Sequence, residues 1–303
     1  MKALVIGYGS IGMRHARILS SLDCEVAVFS SRSVDFPLVF NNLEAALTKH
    51  NPSYVVVANA TAEHQFTLQQ LADLGYAGYV LVEKPIFAIA CEMPKHNFAG
   101  IWVGYNLRFH PIVEYLKKWL NEEPAISAHA YVGQYLPEWR PGTDYRKSYS
   151  ADIALGGGVL RDLSHELDYL GMLLGTWNRV AAIGGHFSPL EINSDDHFAI
   201  LMQSKRCQAI ALQVSYLDRV PQRNITINTK DRTIVADFSK DIINDNGNIL
   251  NFLSDRDSTY LNMHQAILKG SFEELCTVDH AQDVMKLISA CEKSSTNKTW
   301  ITK

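Results

Sequence analysis

No run of the 303 residues stays apolar for the ~20 positions that a membrane-crossing helix needs. Neither sign of charge dominates: 28 Lys and Arg stand against 32 Asp and Glu, a net charge of −4, so no global field draws the chain onto nucleic acid or an anionic membrane. Neither is expected as a partner. Cysteine is sparse, with five residues (Cys24, Cys91, Cys207, Cys276 and Cys291) that are odd in number and never spaced as C-x-x-C. That pattern argues against both a zinc site and a disulfide framework, and the five read as reduced thiols. Internal repeats, low-complexity segments and long linkers are also missing. The opening MKALVIGYG has neither the basic nor the apolar region of a signal peptide, so a cytoplasmic protein is expected. With 47% hydrophobic and 20% charged residues, the chain carries enough apolar side chain for two cores.

Up to about residue 105, short apolar runs alternate with helical patterns: Ala3-Leu4-Val5-Ile6, Val26-Ala27-Val28-Phe29, Tyr54-Val55-Val56-Val57, Tyr79-Val80-Leu81-Val82 and Ile101-Trp102-Val103. Continuous apolar strands of this kind are buried on both faces, which predicts a parallel sheet covered by helices. Beyond it lie a helix from Pro111 to Leu120, a loop rich in Pro, Gly, Tyr and Arg, and a helical segment from about Val159 to Leu174. The period then changes to two, in Phe198-x-Ile200-x-Met202, Ile210-x-Leu212-x-Val214 and Ile225-x-Ile227, with a turn at Asp245-Asn246-Gly247. These predict antiparallel strands. Helices around Tyr260 to Leu268 and Asp279 to Glu292 close the chain. The fold class is therefore α/β followed by α+β, with domains at 1–106 and 107–303.

Gly7-Tyr8-Gly9-Ser10-Ile11-Gly12 follows the first strand and opens a helix. In that context Gly7 makes a tight turn, Gly9 lets a pyrophosphate approach the backbone, and Gly12 packs helix on strand, while the helix N-terminus supplies N–H donors. The second strand ends in Phe29-Ser30-Ser31-Arg32, where NAD-selective proteins usually carry Asp or Glu. Two hydroxyls beside an arginine suit a phosphate ester, so NADP(H) is expected over NAD(H). The alternative is a solvated arginine on a surface turn.

These motifs resemble those of the glucose-fructose oxidoreductase / inositol dehydrogenase (Gfo/Idh/MocA) family: GYGSIGMRH at the start, ANATAEH ending at His64, Glu83-Lys84-Pro85 at a strand end, Gly104-Tyr105-Asn106-Leu107-Arg108-Phe109, and GGGVLRDLSHELD at 156–168. The resemblance implies an N-terminal Rossmann dinucleotide-binding domain, a second domain with a large open, mainly antiparallel sheet, and pyridine-nucleotide-dependent oxidoreduction, often of sugars. It implies cofactor contacts from Asn59, Ala60, His64, Glu83 and Lys84, places Lys84 in the catalytic site touching substrate oxygen, and puts Asn106 near the substrate. Asn59-Ala60 stands where the family has T-P, so His64 is expected to be a structural histidine beside the cofactor. Members commonly have four residues from the aspartate to the histidine; here Asp162 and His165 are three apart.

Hydride transfer to or from a carbohydrate carbon needs a proton shuttle and a positive donor at one oxygen. Lys84 and His165 suit these roles, His165 because its ordinary pKa permits proton exchange near neutrality. Asp162, at i−3 on one helix, would orient His165 or hold substrate, while Asp168 reads as a structural partner. The loop Trp139-Arg140-Pro141-Gly142-Thr143-Asp144-Tyr145-Arg146-Lys147-Ser148-Tyr149 gathers rings and cations. Tyr145 would stack on a sugar, and Arg140 and Arg146 would clamp a phosphate or carboxylate; the alternative is ion pairing within a solvated loop. The W-R-P-G-T-D-Y-R stretch also resembles a subgroup associated with bacterial surface-sugar biosynthesis. The expected substrate is thus a phosphorylated, nucleotide-linked or acidic sugar. A biliverdin-reductase-like activity and a dinucleotide-binding sensor without turnover are the rivals. A homodimer or homotetramer through the C-terminal sheet is expected, and no metal: His197 beside Asp195-Asp196 lacks convergent ligands.

Overall fold

In the computed structural model, which describes all 303 residues, the chain forms two compact units. The first comprises Met1–Phe109 and Asp255–Ala281, the second His110–Ser254 and Gln282–Lys303.

The first unit runs β1 (Lys2–Ile6), α1 (Ser10–Ser21), β2 (Glu25–Phe29), β3 (Val39–Phe40), α2 (Leu43–Ala45), β4 (Tyr54–Val57), α3 (His64–Asp73), β5 (Tyr79–Val82) and β6 (Gly100–Val103). Its sheet has the order β6-β5-β4-β1-β2-β3, extended beyond β6 by the short strand Cys276–Thr277. All pairs are parallel except that last one. The apolar runs are buried on both faces, as continuous Val, Ile and Leu require. Strand order reverses at β1, which pairs with β2 on one side and β4 on the other. The carboxyl ends of β1 and β4 thus flank the crevice where open α/β sheets hold ligands. The sequence reading gave everything after residue 106 to the second domain; Asp255–Ala281 returns instead to the first. The reason is packing: helix Ser258–Lys269 lays Met263 and Ile267 into the core that contains Ala16, Leu19 and Phe109.

The second unit begins with α4 (Pro111–Glu122) and β7 (Ser127–Gly133). It continues through α5 (Val159–Asp162), α6 (His165–Leu174), β8 (Trp177–Gly185), β9 (His197–Ser204), β10 (Ala209–Ser215), β11 (Gln222–Asn228), β12 (Thr233–Asp237), β13 (Ile242–Asp245) and β14 (Asn248–Asn251). Its nine-stranded sheet has the order β14-β13-β12-β11-β7-β10-β9-β8, closed by the strand Ile301–Thr302. Only β7 and β10 pair in parallel. The period-two residues face one another across β9 and β10, Ile210 opposite Met202, Leu212 opposite Ile200 and Val214 opposite Phe198, and all six are buried. Asn246 and Gly247, both at positive φ, make the two-residue turn from β13 to β14. The other sheet face leaves Ile183 and Leu201 more than half exposed.

Candidate functional site

In the first unit the backbone builds the site. Gly7 turns the chain out of β1 at φ +91°, and a Cβ there would sit 2.6 Å from the Asn59 backbone; one on Gly12 would sit 2.1 Å from the Gly7 carbonyl oxygen. Both glycines are demanded by the fold itself. Gly9 differs, because a Cβ there would meet nothing within 4 Å. It is the N-cap of α1 and offers no side-chain cap, and the first turn of that helix carries no acidic residue. The N–H groups of Ser10, Ile11 and Gly12 in that first turn are the ones an α-helix leaves for an anion. Asn59 lies across from Gly7: its amide nitrogen donates to Glu63 and Thr67 at 3.0 and 2.8 Å, while its buried Oδ1 accepts no hydrogen bond. An open space over a helix N-terminus and an unused buried acceptor beside it could hold an anion and a hydroxyl donor, the partners that a dinucleotide's pyrophosphate and ribose would supply.

At the tip of β2, Ser30 is buried and spends its hydroxyl on the turn, accepting from Arg32 N and donating to Arg32 O, each at 3.1 Å. Ser31 and Arg32 are exposed. Ala60, exposed as well, starts the turn Thr61–Glu63.

Lys84, half-buried, follows β5 and precedes Pro85 through a cis peptide bond. Its main chain is held on both sides. The Glu83 carboxylate accepts from Lys84 N at 3.2 Å and lies 2.8 Å from His15 Nε2. His64 places Nδ1 at 3.2 and 3.1 Å from the Pro85 and Ile86 carbonyl oxygens, to which it donates, and burial lowers its pKa so that the ring stays neutral. Glu83 and His64 therefore act on the protein's own backbone. The Asn106 amide donates to Thr259 at 2.6 Å, so that end of the side chain is committed to helix Ser258–Lys269.

In the second unit, side chains distant in sequence build the cluster. The expected single helix from 159 to 174 is two: Leu163, at φ −98° and ψ 29°, departs from helical geometry, and α6 restarts with Ser164 as its N-cap. Asp162 ends one helix and His165 begins the next, so the same-face argument from i, i+3 spacing gives way to this turn. Both are buried. Tyr216 donates to Asp162 Oδ2 at 2.6 Å, and its phenol is pushed far up by burial and then by that carboxylate. The charge of Asp162 is the leading cause of a raised pKa at Tyr149 as well. Two neutral phenols thus face one carboxylate. The glycine run is packed: a Cβ on Gly157 would lie 2.1 Å from the Tyr149 carbonyl oxygen, and Gly158 turns at φ +112°. Asp195 reaches the start of α5, accepting from Leu160 N at 3.0 Å, and Arg161 pairs with Glu292 at 2.7 Å. Asp168 is buried within α6. Asp196 accepts from Phe187 N, Ser188 N and the Ser188 hydroxyl, which makes it a structural acid.

The loop cations separate. Arg146 is exposed and engaged, with Nε 2.8 Å from Asp144 Oδ1, Nη2 3.1 Å from Asp144 Oδ2 and Nη1 3.3 Å from Glu191. Arg140 lies over the Tyr149 ring, 5.4 Å from its centroid. The Tyr145 hydroxyl accepts from Glu191 N at 3.2 Å. Sequence reasoning missed Tyr216, although it follows β10 directly, in phase with the buried Ile210, Leu212 and Val214, and is itself buried.

No curated protein matches the chain by sequence. Residues 125–235 match the family model of the GFO/IDH/MocA C-terminal domain. Over this stretch the chain is similar to GFO/IDH/MocA C-terminal domains. The match bears out the family resemblance carried by the motifs. Among solved structures of like fold are levoglucosan dehydrogenase in complex with NADH and levoglucosan, at 14% identity and a TM-score of 0.86, covering 100% of this chain and 99% of that one. Another is GenD2 from gentamicin A biosynthesis in complex with NAD, at 19% identity and 0.80, covering 100% and 96%. A third is the WlbA dehydrogenase from Bordetella pertussis with NADH and UDP-GlcNAcA, at 17% identity and 0.80, covering 100% and 98%. At these identities the likeness is one of fold. The two sheets are of the kinds the periodicities predicted, a parallel one covered by helices and a mainly antiparallel one.

Proposed function

We propose that the chain is a nicotinamide-dinucleotide-dependent oxidoreductase that transfers hydride between cofactor and a carbohydrate hydroxyl or carbonyl. The observation that carries this is the open space at Gly9 over the start of α1, with the unused buried Oδ1 of Asn59 nearby. The proteins of like fold named above were crystallised with NAD or NADH, two of them with a sugar or nucleotide-linked sugar acid, which supports the same substrate class here. Bound nicotinamide would accept or supply the hydride. The chain's own residues then manage the oxygen. Lys84, its backbone fixed by Glu83 and His64, places a cation where the alkoxide charge develops, and His165 takes or returns the proton. Asp162 accepts from Tyr216 and orients His165 or holds substrate. Exposed Ser31 and Arg32 at the end of β2, in a stretch with no Asp or Glu from Phe29 to Val34, support NADP(H) over NAD(H). A phosphorylated, nucleotide-linked or acidic sugar suits Arg140, and Ile183 and Leu201 on the open sheet face support a dimer or tetramer, which sedimentation of a monomer would overturn.

The test is turnover with NADP and NAD separately against pooled sugars, sugar phosphates, nucleotide sugars and sugar acids. Lys84→Ala should lose about 10²–10⁴-fold in turnover, and Arg32→Ala should weaken NADP while sparing NAD. Undiminished turnover in Lys84→Ala would overturn the reading.

A further inference from the structure

A chain of buried polar groups runs through the first unit from Tyr54 to Lys84. Tyr54 on β4 has its hydroxyl 2.9 Å from His264 Nδ1, His264 Nε2 lies 2.8 Å from His15 Nδ1, and His15 Nε2 lies 2.8 Å from Glu83 Oε1. Glu83 Oε2 accepts from Lys84 N. Tyr54, His15 and His264 are wholly buried. A neutral imidazole has one donor and one acceptor, and a carboxylate only accepts. Starting from Glu83, His15 must donate through Nε2 and accept through Nδ1. His264 then donates through Nε2 and accepts through Nδ1, and the Tyr54 hydroxyl is its donor. This polarity leaves every hydrogen and ring lone pair in the chain with a partner and needs no charge but that of Glu83. Protonating His15 would reverse the His15–His264 and His264–Tyr54 bonds and drive the Tyr54 hydrogen out of the chain into apolar surroundings. Burial keeps the Tyr54 phenol neutral and His264 uncharged, in agreement. The other titratable groups around His15 leave its nitrogens alone: Tyr260 packs edge-on at 5.5 Å, and Arg14 lies over Tyr260 and pairs with Asp257.

We propose that Tyr54, His264 and His15 are positioning residues for Lys84, acting through Glu83 as a one-directional hydrogen-bond chain. The carboxylate they aim fixes the peptide from which the lysine side chain springs, while His64 holds the Pro85 and Ile86 carbonyls that follow. The proposal rests on Lys84 being the catalytic lysine.

Its first test needs neither substrate nor cofactor. In protein labelled with ¹⁵N-histidine at pH 7, long-range ¹H–¹⁵N correlation should show His15 and His264 both neutral with the proton on Nε2, the two being assigned from His15→Gln and His264→Gln. A doubly protonated His15, or an Nδ1–H tautomer at His264, would overturn the chain as drawn. The second test is kinetic. Tyr54→Phe removes one hydroxyl and should lower kcat about tenfold while leaving dinucleotide Kd nearly unchanged. His264→Phe should do the same. If Lys84→Ala abolishes turnover while both variants keep wild-type kcat, the positioning role is wrong and the reading of Lys84 stands. If Lys84→Ala keeps full turnover, that reading has failed and takes this proposal with it.

Discussion

Two glycine-rich turns, Gly7 to Gly12 and Gly156 to Gly158, each deliver the chain into a helix, and their uses are opposite. At the first, α1 starts with no side-chain cap and nothing within 4 Å of the place a Gly9 side chain would fill. At the second, Asp195 fills the helix start: its carboxylate takes Leu160 N, and its carbonyl oxygen takes Val159 N at 3.0 Å. The glycines in both turns permit close backbone approach, as the 2.1 Å distances at Gly12 and Gly157 show. What separates the proposed ligand cradle from the structural corner is the carboxylate that arrives at the corner from 35 residues downstream.

The sharpest way to break this comparison lies inside the first turn. Gly12→Ala puts a methyl 2.1 Å from a backbone oxygen that cannot move without unmaking the turn, and should cost about 3 kcal/mol or more of stability. Gly9→Val, at a position with ordinary φ and open space, should melt like wild type and lose dinucleotide affinity about 100-fold. Thermal melts and fluorescence titration with the reduced dinucleotide separate the two. A Gly9→Val protein that binds as well as wild type would remove the cradle.

The second turn should answer to pH instead. Burial pushes the Asp195 carboxyl up to about 6, against the pull of Leu160 N–H and Arg161. An acid whose pKa is higher folded than unfolded gives stability that is whole below the unfolded value and lost as pH rises through the folded one. Wild type should therefore lose up to about 3 kcal/mol relative to Asp195→Asn between pH 4 and pH 7. The asparagine keeps an oxygen for Leu160 N and carries no charge to desolvate. Chemical denaturation at four pH values reads the difference. A gap between the two proteins that stays flat across that range would show that Asp195 is not strained by its burial.

The same contrast explains what was legible in the sequence. The cradle could be read because local spacing makes it: strand, three glycines and helix are contiguous, and the backbone supplies the donors. Period two marked β9 and β10 as strands because alternation is a property of the strand itself. The Asp162 cluster was not legible, since Tyr149 and Tyr216 reach it from separate parts of the chain, as Asp195 reaches Leu160. Helix Ser258–Lys269 failed for a similar reason. Its pattern predicted a helix, but a helical pattern does not say whose core receives Met263 and Ile267. Spacing also misled at Asp162 and His165, where the helix breaks between them.

The smallest expected effect is at Arg146, and it sharpens the comparison between ligand-facing and self-satisfied groups. Its sequence neighbours, rings and glycines, made it look like half of an anion clamp with Arg140. In the structure its guanidinium makes a forked pair with Asp144 and a further contact with Glu191, all in solvent. An incoming phosphate or carboxylate would have to displace two carboxylates to reach it, whereas Arg140 rests on Tyr149, the ring whose hydroxyl feels Asp162. Arg146→Ala should leave both the melting temperature and the substrate KM as in wild type, because exposed pairs of this kind contribute little. Arg140→Ala, assayed beside it, should raise KM. The reverse outcome, a strong rise in KM for Arg146→Ala alone, would mean that substrate does outcompete Asp144 and Glu191, and that an arginine already paired within its own loop can still read an anion.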